Sequence, residues 1–110
     1  MRIFFCKTAS GRSPVTEYID SLPETDLGRF LEVLEEIERH GLDASRLILK
    51  PLEGKLWEIK FRSGGGGFRV LYVLLAKDEM VWLYAFQKKT PRTPPRELKL
   101  ALSRMKEVIS

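Results

Sequence analysis

Sulfur and imidazole are scarce in this chain, which has one cysteine, Cys6, and one histidine, His40, among 110 residues. A single thiol can close no intramolecular disulfide and build no zinc site, so the chain reads as one kept in a reducing cytoplasm. His40 falls at the end of an amphipathic helical pattern, where a partly positive ring suits the helix dipole. With no second histidine or cysteine near it in sequence, it reads as neither ligand nor catalyst. Long apolar runs are missing too. The longest, Val70 to Ala76 and Met80 to Phe86, have seven residues each, against about 20 for a helix that spans a bilayer. The stretch Ile3 to Cys6, between Arg2 and Lys7, is too short for the apolar part of an export signal. No Gly-Lys-Ser/Thr follows the glycine tract, and a strand pattern comes next, which sets aside a phosphate-loop NTPase. No serine occupies a nucleophile elbow. Asp20, Glu24 and Asp26 pattern as exposed and give little support to paired-carboxylate chemistry. Neither a metal site nor a cofactor is expected.

What the chain does have is size for one self-sufficient domain, residues 1–110, burying about two thirds of the surface its unfolded form exposes. Its net charge of +4 is unevenly spread: Asp20 to His40 holds seven acids and two bases, Lys88 to Ser110 seven bases and two acids. Such asymmetry fits a small protein that meets nucleic acid with one surface and another partner elsewhere, and fits ordinary solvated helix faces as well.

The organisation reads as α+β. A strand over Ile3 to Lys7 precedes a short helix in which Ser13 can cap and Pro14 can take the first position. Pro23 interrupts after Leu22. A longer helix then places Leu27, Phe30, Leu31, Leu34 and Ile37 on one stripe, with Gly41 as its stop. Leu47 to Leu49 can be a short strand or an anchoring loop. Strands follow over Leu56 to Arg62 and Phe68 to Ala76, joined by the loop Gly64 to Gly67, and then over Met80 to Phe86. The last two are apolar at nearly every position and so read as covered on both faces. Thr93 and Pro94 open a final helix with Leu98, Ala101, Leu102, Met105 and Val108 on one side. The glycine loop reads as a flexible hairpin connection rather than a phosphate cradle.

The most distinctive stretch is Leu56-Trp57-Glu58-Ile59-Lys60-Phe61-Arg62. Period-two alternation puts Trp57, Ile59 and Phe61 on one face and Glu58, Lys60 and Arg62 on the other, with successive members about 7 Å apart. After the glycine turn, Arg69 stands beside that charged row if the register allows. Trp57 and Trp82 read as core, each lying in an apolar row. Lys60, Arg62, Arg69, Lys88 and Lys89, with Tyr84 nearby, form a set able to bind and cleave RNA: arginine forks grip phosphate, crowded lysines can lose a proton, and tyrosine can stack or relay a proton.

Ser13-Pro-Val, the Asp20-Ser-Leu-Pro break, Lys50-Pro-Leu, Leu56-Trp-Glu-Ile-Lys-Phe-Arg, Phe68-Arg-Val-Leu-Tyr and Phe86-Gln-Lys-Lys-Thr-Pro, in this order, resemble the phage-derived Gp49-like, HigB-type toxins of the RelE/ParE superfamily. The likeness covers nearly the whole chain. It implies a small twisted, largely antiparallel sheet with an N-terminal helical hairpin and a C-terminal helix, the RelE-like arrangement. It also implies a type II toxin–antitoxin module: a metal-independent mRNA interferase that cuts mRNA in the ribosomal A site by 2′-hydroxyl attack, neutralised by a HigA-like helix-turn-helix antitoxin. On the matching positions, Arg69 would stabilise transition-state charge and Lys60 and Arg62 would hold flanking phosphates. Lys88 and Lys89 would close the other side, with Arg92 and Arg96 as further RNA contacts. Relatives often carry histidine where Tyr84 stands. The proton acceptor is then Glu58 or a lysine, and the donor Tyr84 or Lys88. The alternative is a non-enzymatic binding module of the same fold, either an inactivated relative or a gyrase-directed, ParE-like toxin.

Overall fold

A computed structural model describes residues 1–44, 47–64, 66–87 and 92–109. The element order is β1 (Arg2–Phe5), α1 (Pro14–Asp20), α2 (Glu24–His40), a 3-10 turn (Gly41–Asp43), β2 (Ile48–Glu53), β3 (Leu56–Ser63), β4 (Gly66–Ala76), β5 (Glu79–Gln87) and α3 (Pro95–Ile109). The five strands form one sheet in the order β1-β5-β4-β3-β2. All neighbours run antiparallel except β1, which lies parallel to β5. The fold class is therefore α+β, as expected. Among the described residues no helix is long and apolar enough to cross a membrane.

Local chemistry sets the helix ends. Ser13 caps α1 by accepting the Thr16 N–H at 3.4 Å, and Pro14 takes the first helical position. Pro23 separates α1 from α2, and Gly41 ends α2 at φ +66°, a left-handed conformation that glycine adopts without a Cβ clash. In the undecided segment at Leu47 to Leu49, Ile48 and Leu49 open β2, an edge strand, which is where a sheet tolerates Pro51.

The sheet carries helices on both faces. On one, α1 and α2 cover Ile59, Phe61, Phe68, Val70, Tyr72 and Trp82. Phe30 of α2 stands edge-on to Phe61 at 4.8 Å and to Phe68 at 5.1 Å between centroids, a geometry that aligns ring edges with ring faces. On the other, α3 lays Ala101 and Met105 on Leu56, Leu71, Val73, Val81 and Leu83.

Several expectations need correction. Leu31 is 54 % exposed and Val33 is buried in its place, because the sheet meets α2 along Phe30, Val33 and Ile37. Trp57, expected in the core, is 37 % exposed, whereas Trp82 is fully buried. Leu74 and Leu75 emerge at the end of β4, so that strand is covered on both faces only over its middle. The four-glycine loop is shorter than it reads. Ser63 pairs with Gly66 and Arg62 with Gly67, so Gly66 and Gly67 belong to β4 rather than to the loop. Gly64 has φ +48°.

Candidate functional site

Alternation along β3 turns Glu58, Lys60 and Arg62 to the α3 side, as the sequence pattern requires. The register then decides which residues join them. Lys60 pairs with Arg69 and Glu58 with Leu71. Arg69 pairs with Phe86 and Leu71 with Tyr84. Arg69 therefore does stand beside the charged row. Tyr84 arrives by a less direct route. The β4–β5 register shifts between Leu71 and Tyr72, so that Tyr72 pairs with Trp82 and Leu83 has no counterpart. This bulge puts Leu83 and Tyr84 both on the α3 side; strict alternation would have sent Tyr84 to the side of Trp82.

At the centre is the Glu58 carboxylate, 0 % exposed. Its Oε2 accepts the Thr93 hydroxyl at 2.7 Å and lies 3.5 Å from Arg69 Nη1. Arg69 Nη1 also donates to Thr93 Oγ1 at 3.4 Å, closing a triangle of carboxylate, guanidinium and hydroxyl. Lys60 Nζ approaches the second carboxylate oxygen at 3.8 Å. Arg69 is 1 % exposed, so the guanidinium expected to meet phosphate is closed beneath the segment that leads into α3. A buried pair of this kind adds little net stability, but losing one partner costs about 3–5 kcal/mol because the other charge stays buried.

Lys60 connects this centre to solvent. Its side chain is 24 % exposed and enters an open cleft of about 1060 Å³, also lined by Arg29, Glu32, Ile48 and Arg62. Arg62 is exposed. Its carbonyl accepts Arg29 Nε at 3.0 Å, while the Arg29 guanidinium carbon stands 5.7 Å from the Phe61 ring centroid and Nη1 reaches Glu32 at 3.3 Å. Arg29 thus brings a third cation to the cleft from α2. A smaller cleft of about 350 Å³ lies between Tyr18, Phe86, Gln87, Pro94 and Glu97. Burial, followed by the charges of Asp26 and Tyr84, raises the Tyr18 phenol above its ordinary value.

Arg92 and Arg96 are exposed at the approach to α3 and on its first turn. Lys88 and Lys89 lie outside the described residues. Sequence reading missed Arg29 and Thr93. Arg29 sits in an acidic helix, and nothing in a Thr-Pro-Pro run announces a carboxylate partner 35 positions away. Among the described residues no group of three or more histidine, cysteine or acidic side chains could hold a metal ion. What the arrangement offers is a buried carboxylate, cations beside it, and an open cleft reached through Lys60.

These features define a small α+β protein whose mixed sheet is aromatic on one face and carries a charged row beneath the C-terminal helix on the other. The chain belongs to the family described as "Phage derived protein Gp49-like", whose sequence profile matches residues 17–106. The placement expected from the motifs holds. Two relatives, each named "Probable endoribonuclease HigB1" and found in Mycobacterium tuberculosis strains CDC 1551 / Oshkosh and ATCC 25618 / H37Rv, are 26 % identical over 103 residues. The alignments span 94 % of this chain and 80 % of each relative.

Proposed function

We propose that this protein is the toxin of a type II toxin–antitoxin module, an endoribonuclease that cuts mRNA on the ribosome and is held inactive by a HigA-like helix-turn-helix antitoxin. The carrying observation is the Glu58 carboxylate set 3.8 Å from Lys60, which itself opens into the cleft shared with Arg62 and Arg29. Family membership and the endoribonuclease name of the relatives support the same reading.

In this mechanism Arg62 and Lys60 hold phosphates along the cleft, and Arg92 and Arg96 extend the contact, each phosphate contact releasing counterions. Glu58 accepts the proton of the attacking 2′-hydroxyl. The 2′-oxygen bonds to phosphorus, and Arg69 and Lys60 stabilise the added negative charge. The bond to the 5′-oxygen breaks, and Tyr84 or Lys88 supplies the proton that oxygen needs, leaving a 2′,3′-cyclic phosphate and a 5′-hydroxyl. Side chains provide every proton and counter-charge, so the reaction calls for no metal ion. Glu58 and Arg69 are closed to solvent, with the Thr93 hydroxyl bonded to Glu58, so RNA contact with them would displace that cover. Ribosomal alignment of the message supplies in-line geometry that a free substrate lacks.

The same closure favours a second reading, in which the fold is a binding module that inhibits a partner such as gyrase without cutting RNA. Incubation with programmed ribosomes and mapping of mRNA ends separates the two. The nuclease reading expects A-site cuts with cyclic phosphate ends, absent when the nucleotide at the cut carries a 2′-deoxyribose. Lys60→Ala should lower the yield, and Arg69→Lys should remove it. Intact mRNA at protein concentrations that arrest growth would overturn this reading in favour of the binding module.

A further inference from the structure

Leu83, the extra residue of the β5 bulge, has no counterpart on β4, and its buried carbonyl must find a donor elsewhere. Arg104, in the middle of α3, supplies it: Nη1 donates to Leu83 O at 2.8 Å. The buried Cys6 thiol donates to the same carbonyl at 3.4 Å. The Arg104 guanidinium also lies over the next residue, with its central carbon 5.4 Å from the centroid of the Tyr84 ring. Phe86 flanks that ring at 5.6 Å. One planar cation therefore clamps the bulge through its backbone and presses the adjacent phenol against the sheet. A lysine could not do both, because an ammonium is a point donor without a stacking face.

We propose that Arg104 is a positioning residue: by capping Leu83 and stacking on Tyr84 it holds the one-residue offset that sets Tyr84 on the face of the sheet that carries Glu58, Lys60 and Arg69. This rests on the endoribonuclease reading for its catalytic consequence, but the placement of the ring is a property of the free protein. Without the clamp, the bulge can move along β5. Its passage beyond Tyr84, which would pair Leu83 with Leu71 and Tyr84 with Val70, would carry the phenol to the opposite face of the sheet.

The test compares wild type, Arg104→Ala, Arg104→Lys, Tyr84→Phe and the double variant Arg104→Ala/Tyr84→Phe. Two readouts are used: cleavage of ribosome-bound mRNA, and NMR of the free protein with labelled tyrosine rings and amide exchange at Leu83. Arg104→Ala should lower kcat on the order of tenfold to a hundredfold, as expected for a misplaced reacting group, with KM changed by less than about twofold. Arg104→Lys should fall between it and wild type. In the Tyr84→Phe background the Arg104→Ala change should cost less than about twofold more, because both act through one phenol. The Tyr84 ring signals should shift and the Leu83 amide should exchange faster in Arg104→Ala, with far-UV circular dichroism unchanged. Equal kcat losses from Arg104→Ala in both backgrounds, or Tyr84 and Leu83 signals that match wild type, would overturn the inference. Should Arg104→Ala fail to fold, Arg104→Lys and Arg104→Gln are judged by the same criteria. Wild-type protein that cuts no mRNA would remove the nuclease reading and leave the NMR result alone to decide whether Arg104 places the ring.

Discussion

The two faces of the sheet are built for different ends. Beneath α1 and α2, Phe30, Phe61, Phe68 and Trp82 make a continuous aromatic layer with the buried Tyr72 beside it, and its energy comes from area removed from water. Beneath α3 the apolar cluster is smaller, and next to it Glu58, Arg69 and Thr93 spend buried positions on charge and hydrogen bonds. Apolar side chains of similar volume would stabilise that side as well or better. The aromatic face can therefore carry the fold, while the charged face holds groups that packing alone does not require.

Substitutions on each side should break this comparison cleanly if it is wrong. Phe30→Ala should cost about 3–5 kcal/mol by chemical denaturation, since it opens a cavity where four other aromatic rings meet. Arg69→Ala should cost up to a similar ~3–5 kcal/mol by leaving the buried Glu58 with only Lys60, at 3.8 Å, opposite its charge. Replacing both Glu58 and Arg69 by methionine should recover most of that stability while cleavage stays absent. If the double replacement is as unstable as Arg69→Ala alone, the charged face is structural after all. Thr93→Val removes the donor 2.7 Å from Glu58 and should lower stability by about 1–3 kcal/mol.

Alkaline pH probes the buried phenols of the aromatic side, with the buried Cys6 thiol, also raised by burial, adding a fall of the same sign from the α3 side. Burial pushes the Tyr72 phenol up to about 12, against about 10 in an unfolded chain. Below pH 10 both states keep the proton. Between pH 10 and 12 the unfolded chain releases it and the folded one does not, so stability should fall by up to about 1.4 kcal/mol per pH unit. Tyr72→Phe should flatten part of that slope in urea titrations at pH 9 and 11, with Tyr18, also raised, supplying some of the remainder. The smallest effect on stability is expected for the exposed Arg62. Arg62→Ala should change it by less than about 0.5 kcal/mol, yet reduce the salt dependence of RNA binding by about one contact.

How far the sequence foretold this depends on which physical signal each residue carries. The charged row on β3 was legible because period-two alternation is local, and the Gly41 stop and Ser13 cap were legible because they are single-residue chemistry. Leu31 was misplaced because both it and Val33 lie within reach of a helical stripe, and only packing against the sheet chooses between them. The Leu83 bulge left no trace in an apolar run that reads the same at either register. Thr93, Arg29 and Arg104 act across turns of chain that no spacing rule connects. Closure of Arg69 escaped notice for the same reason: its cover comes from a distant segment.

Pairing of β1 with β5 joins residues 77 positions apart, as in the contact of Arg2 with Glu79. During synthesis β1 must wait, unpaired, until nearly all the other strands have left the ribosome. Contacts of such long separation slow folding, because the loop between them must be closed before they contribute anything. A nascent chain therefore has no finished sheet until residue 87 has emerged, and any activity that needs all five strands can begin only then.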